Sequence, residues 1–328
     1  MSDHTKFLSV RDLWIDYELK EETVHAVNGI SFDLERGQTL GLVGETGAGK
    51  TTVARAILGI LQVPPGVVKG GEILLEGKNL FELSEEEMCH YRGNRITMIF
   101  QDPMTALNPI MTVGSQIAEV IQLHDKISDK EARHRAEEML ETVGIPAERY
   151  DEFPHQFSGG MKQRVVIAVA LACNPDLLLA DEPTTALDVT IQAQMLDLMR
   201  RLHEEKGTST IMITHDLGVV GETCDAVAIV YAGEIVEFGS LEQIFDRAKH
   251  PYTLGLFAAV PTLEGDADRL HPIAGLPPDP TDLPQGCKFH PRCPHALEAC
   301  GQNKIPNVEI EPGHFCRCIL AEQEDAHA

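Results

Sequence analysis

The segment Gly44–Thr51, with the sequence GETGAGKT, has the composition and spacing of a phosphate-binding loop. Its glycines let backbone N–H groups approach phosphate oxygens closely, and the N-terminus of a following helix adds partial positive charge. We expect Lys50 to contact the β- and γ-phosphates of ATP and the Thr51 hydroxyl to bind Mg²⁺. A glycine-rich turn followed by chance by Lys and Thr is the alternative, but an apolar strand precedes the loop and a helical pattern follows it. The nucleotide-binding residues predicted here are Gly44, Glu45, Thr46, Gly47, Ala48, Gly49, Lys50, Thr51 and Thr52.

The stretch Leu177–Glu182, LLLADE, is an apolar run that ends on two carboxylates. A buried strand of this kind would aim Asp181 at the magnesium ion through a water molecule. Glu182 would then orient or deprotonate the water that attacks the γ-phosphate. Taken alone, a strand that merely ends in acidic residues is a competing interpretation, and the phosphate-binding loop favours the catalytic one.

Length and charge restrict the classes of protein to which this chain can belong. It has 328 residues, 43% of them hydrophobic, and a net charge of −24. Such acidity argues against a main role in holding DNA or RNA, which requires clustered Lys and Arg. The apolar stretch Val165–Cys173 is too short to cross a bilayer, which takes about 20 residues, and Met1–Lys6 has no apolar signal core. We therefore expect a cytoplasmic protein that reaches a membrane only through a partner.

The elements that must position these residues alternate along the chain. Five apolar runs read as strands, and five stretches with helical spacing lie among them. The predicted strands are Gln38–Val43, Ile96–Phe100, Leu177–Ala180, Thr210–Ile213 and Val227–Tyr231. The predicted helices are Lys50–Leu61, Val113–Leu123, Asp129–Val143, Ser158–Cys173 and Val189–Glu205. Strands separated by helices indicate an α/β fold with a mainly parallel sheet covered on both faces.

Further motifs give the chain a resemblance to a known family. Phe157–Arg164, FSGGMKQR, resembles the signature sequence of ABC ATPases, although Met161 and Lys162 depart from its commonest form. Gln101 resembles the glutamine of the family's Q-loop, His215 its switch histidine and Ala186–Asp188 its D-loop. Together with the phosphate-binding loop and the Asp-Glu strand, these motifs follow the family's order and spacing. The resemblance covers about residues 7–260.

The resemblance implies roles for the motif residues. Ser158, Gly159 and Gly160 would form a second anion-binding turn at a helix N-terminus and act on the ATP held by an opposite subunit. Gln101 would touch the metal or the attacking water and report the nucleotide state to the helical subdomain. His215 would hydrogen-bond the γ-phosphate and hold the catalytic glutamate in place.

The resemblance also implies an adenine site and a domain plan. Tyr17 lies where the family places an aromatic platform for the base, with Trp14 as its competitor. The expected fold is a P-loop NTPase core of the ABC type with a helical subdomain and a small irregular Cys-rich C-terminal domain. The predicted boundaries are 1–101 for the first part of the core, 102–157 for the helical subdomain, 158–261 for the signature helix and the second part of the core, and 262–328 for the tail.

Several stretches narrow the resemblance to oligopeptide and dipeptide importers, namely Gln101–Pro109, Ala226–Glu237, His250–Thr253 and Gly286–Pro294. This subfamily implies an ATP hydrolase at the cytoplasmic face of the cell membrane. It would pair with a second, different ABC ATPase chain, two transmembrane permease subunits and an extracytoplasmic solute-binding protein, and would bind no nucleic acid. An importer of nickel or another small solute is an alternative. A soluble ABC ATPase acting on nucleic acid or ribosomes is disfavoured by the single cassette, the lack of heptads and the acidic charge.

Five of the eight cysteines lie in the last 42 residues. Four thiolates can hold an iron–sulfur cluster or a tetrahedral zinc ion, and a metal-free group of thiols is the third interpretation. The spacing lacks the Cys-x2-Cys pairs common in zinc ribbons. The subfamily resemblance favours a [4Fe–4S] cluster on Cys287, Cys293, Cys300 and Cys318, with Cys316 as an alternative fourth ligand.

Overall fold

The computed structural model describes residues 6–184, 189–259 and 272–321. Its strands are β1 (Leu8–Glu18), β2 (Thr23–Leu34), β3 (Thr39–Val43), β4 (Gly66–Leu75), β5 (Lys78–Asn79), β6 (Ile96–Ile99), β7 (Leu177–Asp181), β8 (Ser209–Thr214), β9 (Ala226–Tyr231), β10 (Glu234–Ser240), β11 (Val308–Glu311) and β12 (His314–Cys316). Its helices are α1 (Lys50–Ile57), α2 (Glu85–Tyr91), α3 (Pro103–Ala106), α4 (Val113–His124), α5 (Asp129–Thr142), α6 (Gly159–Leu171), α7 (Val189–Lys206), α8 (Leu217–Thr223), α9 (Leu241–Asp246) and α10 (Pro251–Ala258). Single 3₁₀ turns lie at Leu80–Glu82, Ala147–Asp151, Pro154–Gln156, His290–Arg292 and Glu298–Gly301.

The described residues fall into two compact units. Residues 6–34, 39–79, 214–259 and 272–321 belong to one, which we call the loop unit because it contains the phosphate-binding loop. Residues 35–38, 80–184 and 189–213 belong to the other, which we call the helical unit.

An antiparallel sheet at the beginning of the loop unit has the strand order β2-β1-β4-β5. In β1, Leu8, Val10, Leu13 and Ile15 are fully buried, and the strand pairs with β2 on one side and β4 on the other. The register of β1 shifts near Asp12, which has a left-handed φ of 41°. This irregularity interrupts simple alternation, and the sequence analysis did not identify the strand.

The second sheet of the loop unit joins the nucleotide core to the tail, with the order β11-β12-β10-β9-β3. Strand β3 runs parallel to β9, and the remaining pairs are antiparallel. In the pairing of β10 with β12, Glu237 lies opposite Cys316 and Phe238 opposite Phe315. A tail strand thus belongs to the same sheet as the strand that leads into the phosphate-binding loop.

The helical unit contains the parallel strands β8, β7 and β6, with β7 in the middle. All residues of β6, β7 and β8 are buried, as expected for parallel strands. Hydroxyl side chains cap its helices, because Thr112, Ser128 and Ser158 each accept a hydrogen bond from the third residue of the following helix. Arg133 of α5 lies over the ring of Tyr150, 4.1 Å from its centroid, and holds the 3₁₀ turn against α5.

Most predicted elements agree with the structure to within two residues at each end. The largest difference is the helix after the phosphate-binding loop, which was predicted to reach Leu61 and ends at Ile57. Gly59 adopts a left-handed φ of 66°, a conformation that stops helices. Within the described residues, no helix is both long and apolar enough to cross a bilayer.

Candidate nucleotide-binding site

The phosphate-binding loop of the loop unit requires glycine where the backbone is crowded. A Cβ on Gly44 would lie 2.1 Å from the carbonyl oxygen of Val230. Gly49 has a φ of +96°, and its Cβ would lie 2.3 Å from the carbonyl oxygen of Ala26. At Gly47, a Cβ would meet nothing within 4 Å, so the loop backbone is open to a ligand on that side. The loop therefore packs tightly against β2 and β9 and leaves its tip accessible.

Lys50 is folded back into the loop that precedes it. Its Nζ donates to the carbonyl oxygens of Gly44, at 2.7 Å, and Glu45, at 3.0 Å, and the residue is only 6% exposed. Two carbonyl oxygens thus hold this ammonium at the N-terminus of α1, an arrangement that could attract an anion. The residues present thus fit a nucleotide phosphate, and the half-buried Thr51 supplies a hydroxyl in the first turn of α1 for a magnesium ion.

The two candidates for the adenine platform differ in their surroundings. The hydroxyl group of Tyr17 lies 3.2 Å from that of Thr52, which places this ring beside α1. The indole N–H of Trp14 donates to Asp12, and the ammonium of Lys304 lies 6.0 Å from the indole ring centroid. Tyr17 thus contacts the helix that follows the loop, whereas the ring of Trp14 lies beneath a lysine of the tail.

In the helical unit, strand β7 presents the predicted carboxylates at its end. Asp181 is its last residue and is buried, and Glu182 follows with a left-handed φ of 47°. The Glu182 N–H donates to Ile213 of β8, at 2.8 Å, which fixes this uncommon conformation. The Gln101 side-chain amide donates to Glu182 Oε2, at 2.7 Å. The structure therefore joins the predicted Q-loop glutamine to the predicted catalytic carboxylate.

The Ser-Gly-Gly turn lies on the surface at the start of α6. The Ser158 side chain accepts from Met161 N–H, at 3.4 Å, and caps the helix. Ser158 and Gly159 are exposed, and a Cβ on Gly159 would meet nothing within 4 Å. A Cβ on Gly160 would lie 2.9 Å from Ile191, so this glycine is required for packing. The turn is accessible to a ligand from outside the unit.

The predicted switch histidine lies on the surface, next to the end of strand β8. His215 is exposed and follows β8 directly, two residues after the carbonyl group that fixes Glu182. The predicted D-loop, Ala186–Asp188, lies outside the described residues.

Comparisons with known proteins show the family of this chain. The family model described as ABC transporter matches residues 27–185, and that of the oligopeptide/dipeptide transporter C-terminal region matches residues 236–300. The oligopeptide transport ATP-binding protein OppD of Bacillus subtilis (strain 168) is 52% identical over 96% of this chain and 89% of its own. The chain belongs to the ABC transporter ATP-binding family. A second relative in this family, OppD of Escherichia coli (strain K12), is 46% identical over 97% of this chain and 94% of its own.

Solved structures of ABC cassettes are similar to this ABC ATP-binding protein. The cassette MJ0796, in a dimeric post-hydrolysis state with ADP and Pi, superposes with a TM-score of 0.65 at 27% identity. The match covers 71% of this chain and 98% of that chain. The predicted α/β fold with a P-loop NTPase core of the ABC type is therefore confirmed.

The predicted iron–sulfur cluster is wrong for this ABC ATP-binding protein. Cys287, Cys293, Cys300 and Cys318 line one small cavity in the tail. However, across the part of the chain that the structure describes, no group of three or more His, Cys, Asp or Glu side chains could hold a metal ion. The names of the relatives describe ATP binding and oligopeptide transport and mention no cluster.

The prediction rested on spacing along the chain, which does not fix the distances and directions of the sulfur atoms. Burial raises the pKa of the Cys287 thiol to about 11. The alternative fourth ligand, Cys316, is fully buried in β12, and burial raises the pKa of its thiol as well. The zinc alternative fails for the same reason, because the described residues contain no group that could hold a metal ion.

Sequence reasoning missed two side chains that contact the phosphate-binding loop. Arg292 of the tail makes an ion pair with Glu45, and the Tyr252 hydroxyl accepts from Glu45 N–H. Both lie in stretches that resemble the peptide-importer subfamily, Gly286–Pro294 and His250–Thr253. Their contact with a loop more than 200 residues earlier leaves no local pattern in the sequence.

Proposed function

We propose that this chain is the ATP-hydrolysing subunit of an ABC importer that takes up oligopeptides or dipeptides. The observation that carries the ATP part is the position of the Lys50 ammonium, which the carbonyl oxygens of Gly44 and Glu45 hold at the N-terminus of α1. The peptide part rests on the relatives, which are named as oligopeptide and dipeptide transport ATP-binding proteins, and on the matching C-terminal region.

In the proposed mechanism, the loop unit binds the triphosphate. The backbone N–H groups of the loop and the Lys50 ammonium attract the phosphate oxygens, and Tyr17 stacks on the adenine. Thr51, Gln101 and Asp181 are the residues that would hold Mg²⁺. When bound, Mg²⁺ neutralises charge on the β- and γ-phosphate oxygens.

Glu182 is the proposed group that prepares water for attack. Its backbone is fixed by Ile213, and its side chain accepts a hydrogen bond from Gln101, so its carboxylate has a defined orientation. The carboxylate accepts a proton from water as the water oxygen bonds to the γ-phosphorus and the bond to the β-phosphate oxygen breaks. His215 would hydrogen-bond the γ-phosphate.

A second ATPase chain is needed to complete each nucleotide site in this proposal. The exposed turn at Ser158, Gly159 and Gly160 would contact the ATP of the partner chain, and the partner's equivalent turn would contact the ATP held here. We propose a heterodimer with a different ABC ATPase, bound to two transmembrane permease subunits at the cytoplasmic face of the membrane. An extracytoplasmic solute-binding protein would deliver the peptide, and the Cys-rich tail would be a small appendage of the loop unit.

Reconstitution tests this function. The tagged chain is purified in detergent with the subunits that associate with it, and the complex is placed in liposomes. We expect MgATP inside to drive uptake of radiolabelled di- or pentapeptides, with peptide-stimulated release of phosphate. Uptake of Ni²⁺ in place of peptide, or co-purification with ribosomes and no membrane subunit, would refute the proposal.

A further inference from the structure

Arg292 in the C-terminal tail contacts the phosphate-binding loop directly. Its two terminal nitrogens donate to the two carboxylate oxygens of Glu45, at 2.7 and 3.0 Å, across 247 residues of sequence. The arginine side chain is 6% exposed and that of Glu45 is 28% exposed. Two parallel charge-assisted hydrogen bonds fix orientation as well as distance, especially where little water reaches them.

The guanidinium group of Arg292 is itself held by its neighbours. Its Nε donates to the carbonyl oxygen of Ala274, at 3.0 Å, and its Nη1 also donates to the hydroxyl group of Tyr231, at 3.2 Å. It lies 6.0 Å from the ring centroid of Phe289, another residue of the same tail motif. Arg292 is therefore a rigid attachment for Glu45.

Glu45 is fixed through its backbone as well. Its N–H donates to the hydroxyl group of Tyr252, at 3.0 Å, and that ring packs against Tyr231 and Phe289 with centroid distances of 4.5 and 5.3 Å. The carbonyl oxygen of Glu45 accepts from Lys50 Nζ, at 3.0 Å. One loop residue thus connects the tail arginine to the phosphate-binding lysine.

We propose that Arg292 is a positioning residue of the ATP site, through which the C-terminal tail sets the affinity of the phosphate-binding loop for nucleotide. Arg292 acts through Glu45, whose fixed backbone keeps the loop in the conformation that receives phosphate. The inference rests on the proposed function as an ATPase. Because Arg292 does not touch the reacting groups, its loss should weaken nucleotide binding and leave the chemical step almost unchanged.

The test compares two tail arginines in the full-length chain. Arg292→Met removes the contact with the loop, and Arg317→Met is the matched control. The Arg317 side chain is 16% exposed and lies 3.6 Å from Glu234, a residue outside the loop. Affinity for MgATP and MgADP is measured by calorimetry, and KM and kcat are measured in the assembled transporter.

Arg292→Met is expected to raise the Kd and KM for ATP about tenfold, the loss typical of a hydrogen-bonded charged pair, with kcat within about twofold. Arg317→Met should change none of these by more than about twofold. Arg292→Lys should give an intermediate affinity, because an ammonium cannot make both bonds in the same plane. Glu45→Gln combined with Arg292→Met should lose no more affinity than Arg292→Met alone.

Equal losses of affinity in Arg292→Met and Arg317→Met would overturn the inference, as would an unchanged Kd in Arg292→Met. If Arg292→Met fails to fold, the affinity of Arg292→Lys tests the inference in its place, because this substitution changes only the tail side of the pair. Unchanged affinity in that variant would also reject the inference. Absence of ATP binding in the unmodified chain would instead refute the proposed function.

Discussion

Replacing Gly49 by alanine is expected to disrupt the phosphate-binding loop by two separable effects. Gly49 has a φ of +96°, and an added Cβ would lie 2.3 Å from the carbonyl oxygen of Ala26. The left-handed conformation costs an alanine roughly 1–2 kcal/mol. Overlap with backbone that must shift adds about 1–3 kcal/mol. We therefore expect Gly49→Ala to lower the free energy of unfolding by about 2–5 kcal/mol.

Gly47 provides the matched control for this prediction. It has a similar φ of +82°, but a Cβ there would meet nothing within 4 Å. Gly47→Ala should therefore show only the conformational cost of about 1–2 kcal/mol. Urea unfolding of the nucleotide-free chain, followed by circular dichroism, measures both variants.

The difference between the two alanine variants tests the tight approach of the loop to β2. It should be about 1–3 kcal/mol, with Gly49→Ala the less stable. MgATP binding should also weaken in Gly49→Ala, because Gly49 is the N-cap of α1 and a shift there moves the N–H groups that face phosphate. Equal losses of stability in the two variants would refute the reasoning.

Three further predictions follow from the site and its surroundings. Glu182→Gln should keep MgATP affinity within about threefold and lower kcat by 10²-fold or more, the scale of a lost general base; unchanged phosphate release would remove Glu182 from its role. Tyr17→Ala should weaken ATP binding by about 1–3 kcal/mol, the scale of base stacking, and Trp14→Ala should not; calorimetry that gives the reverse order would exchange their assignments. Burial lowers the pKa of His250 to about 4 from an ordinary 6.5, so its contribution to stability is complete above pH 6.5 and is lost as pH falls toward 4. Between pH 7 and pH 4, the free energy of unfolding measured with urea should therefore fall less in His250→Asn than in the unmodified chain. Asparagine is chosen because its side chain can still accept a hydrogen bond from Tyr252 N–H; an equal fall in both proteins would contradict the prediction.

Local elements of the site could be predicted from the sequence because their determinants are neighbours along the chain. The loop Gly44–Lys50 lies between β3 and α1, and its spacing of Gly, Lys and Thr is a local pattern. The crowding that requires Gly44 and Gly49, in contrast, comes from Val230 and Ala26 and is visible only in the structure. Strand β7 and the capped helix α6 were likewise recognised from an apolar run and a Ser-Gly-Gly turn. The antiparallel sheet around β1 was missed because its register shifts interrupt the alternation of apolar residues.

The cysteine-rich tail shows where spacing in the sequence is insufficient. The positions of Cys287, Cys293, Cys300 and Cys318 favoured a metal cluster, and the structure does place them around one cavity. Metal binding depends on the distances and directions of sulfur atoms and on their ionisation, which spacing does not determine. Across the described residues, these side chains do not form a group that could hold a metal ion.

The sequence by itself determined that the chain has a phosphate-binding loop, a strand ending in Asp181 and Glu182, and the motif order of an ABC ATPase. Each of these is a short pattern whose chemistry requires particular residue types at fixed spacing. Only the tertiary structure decided that Gln101 contacts Glu182 and that Arg292 holds Glu45. Such contacts join side chains 81 and 247 residues apart, and they form because strands and turns from distant segments pack together. Since hydrogen bonds act over about 3 Å, only the folded chain specifies which distant groups meet.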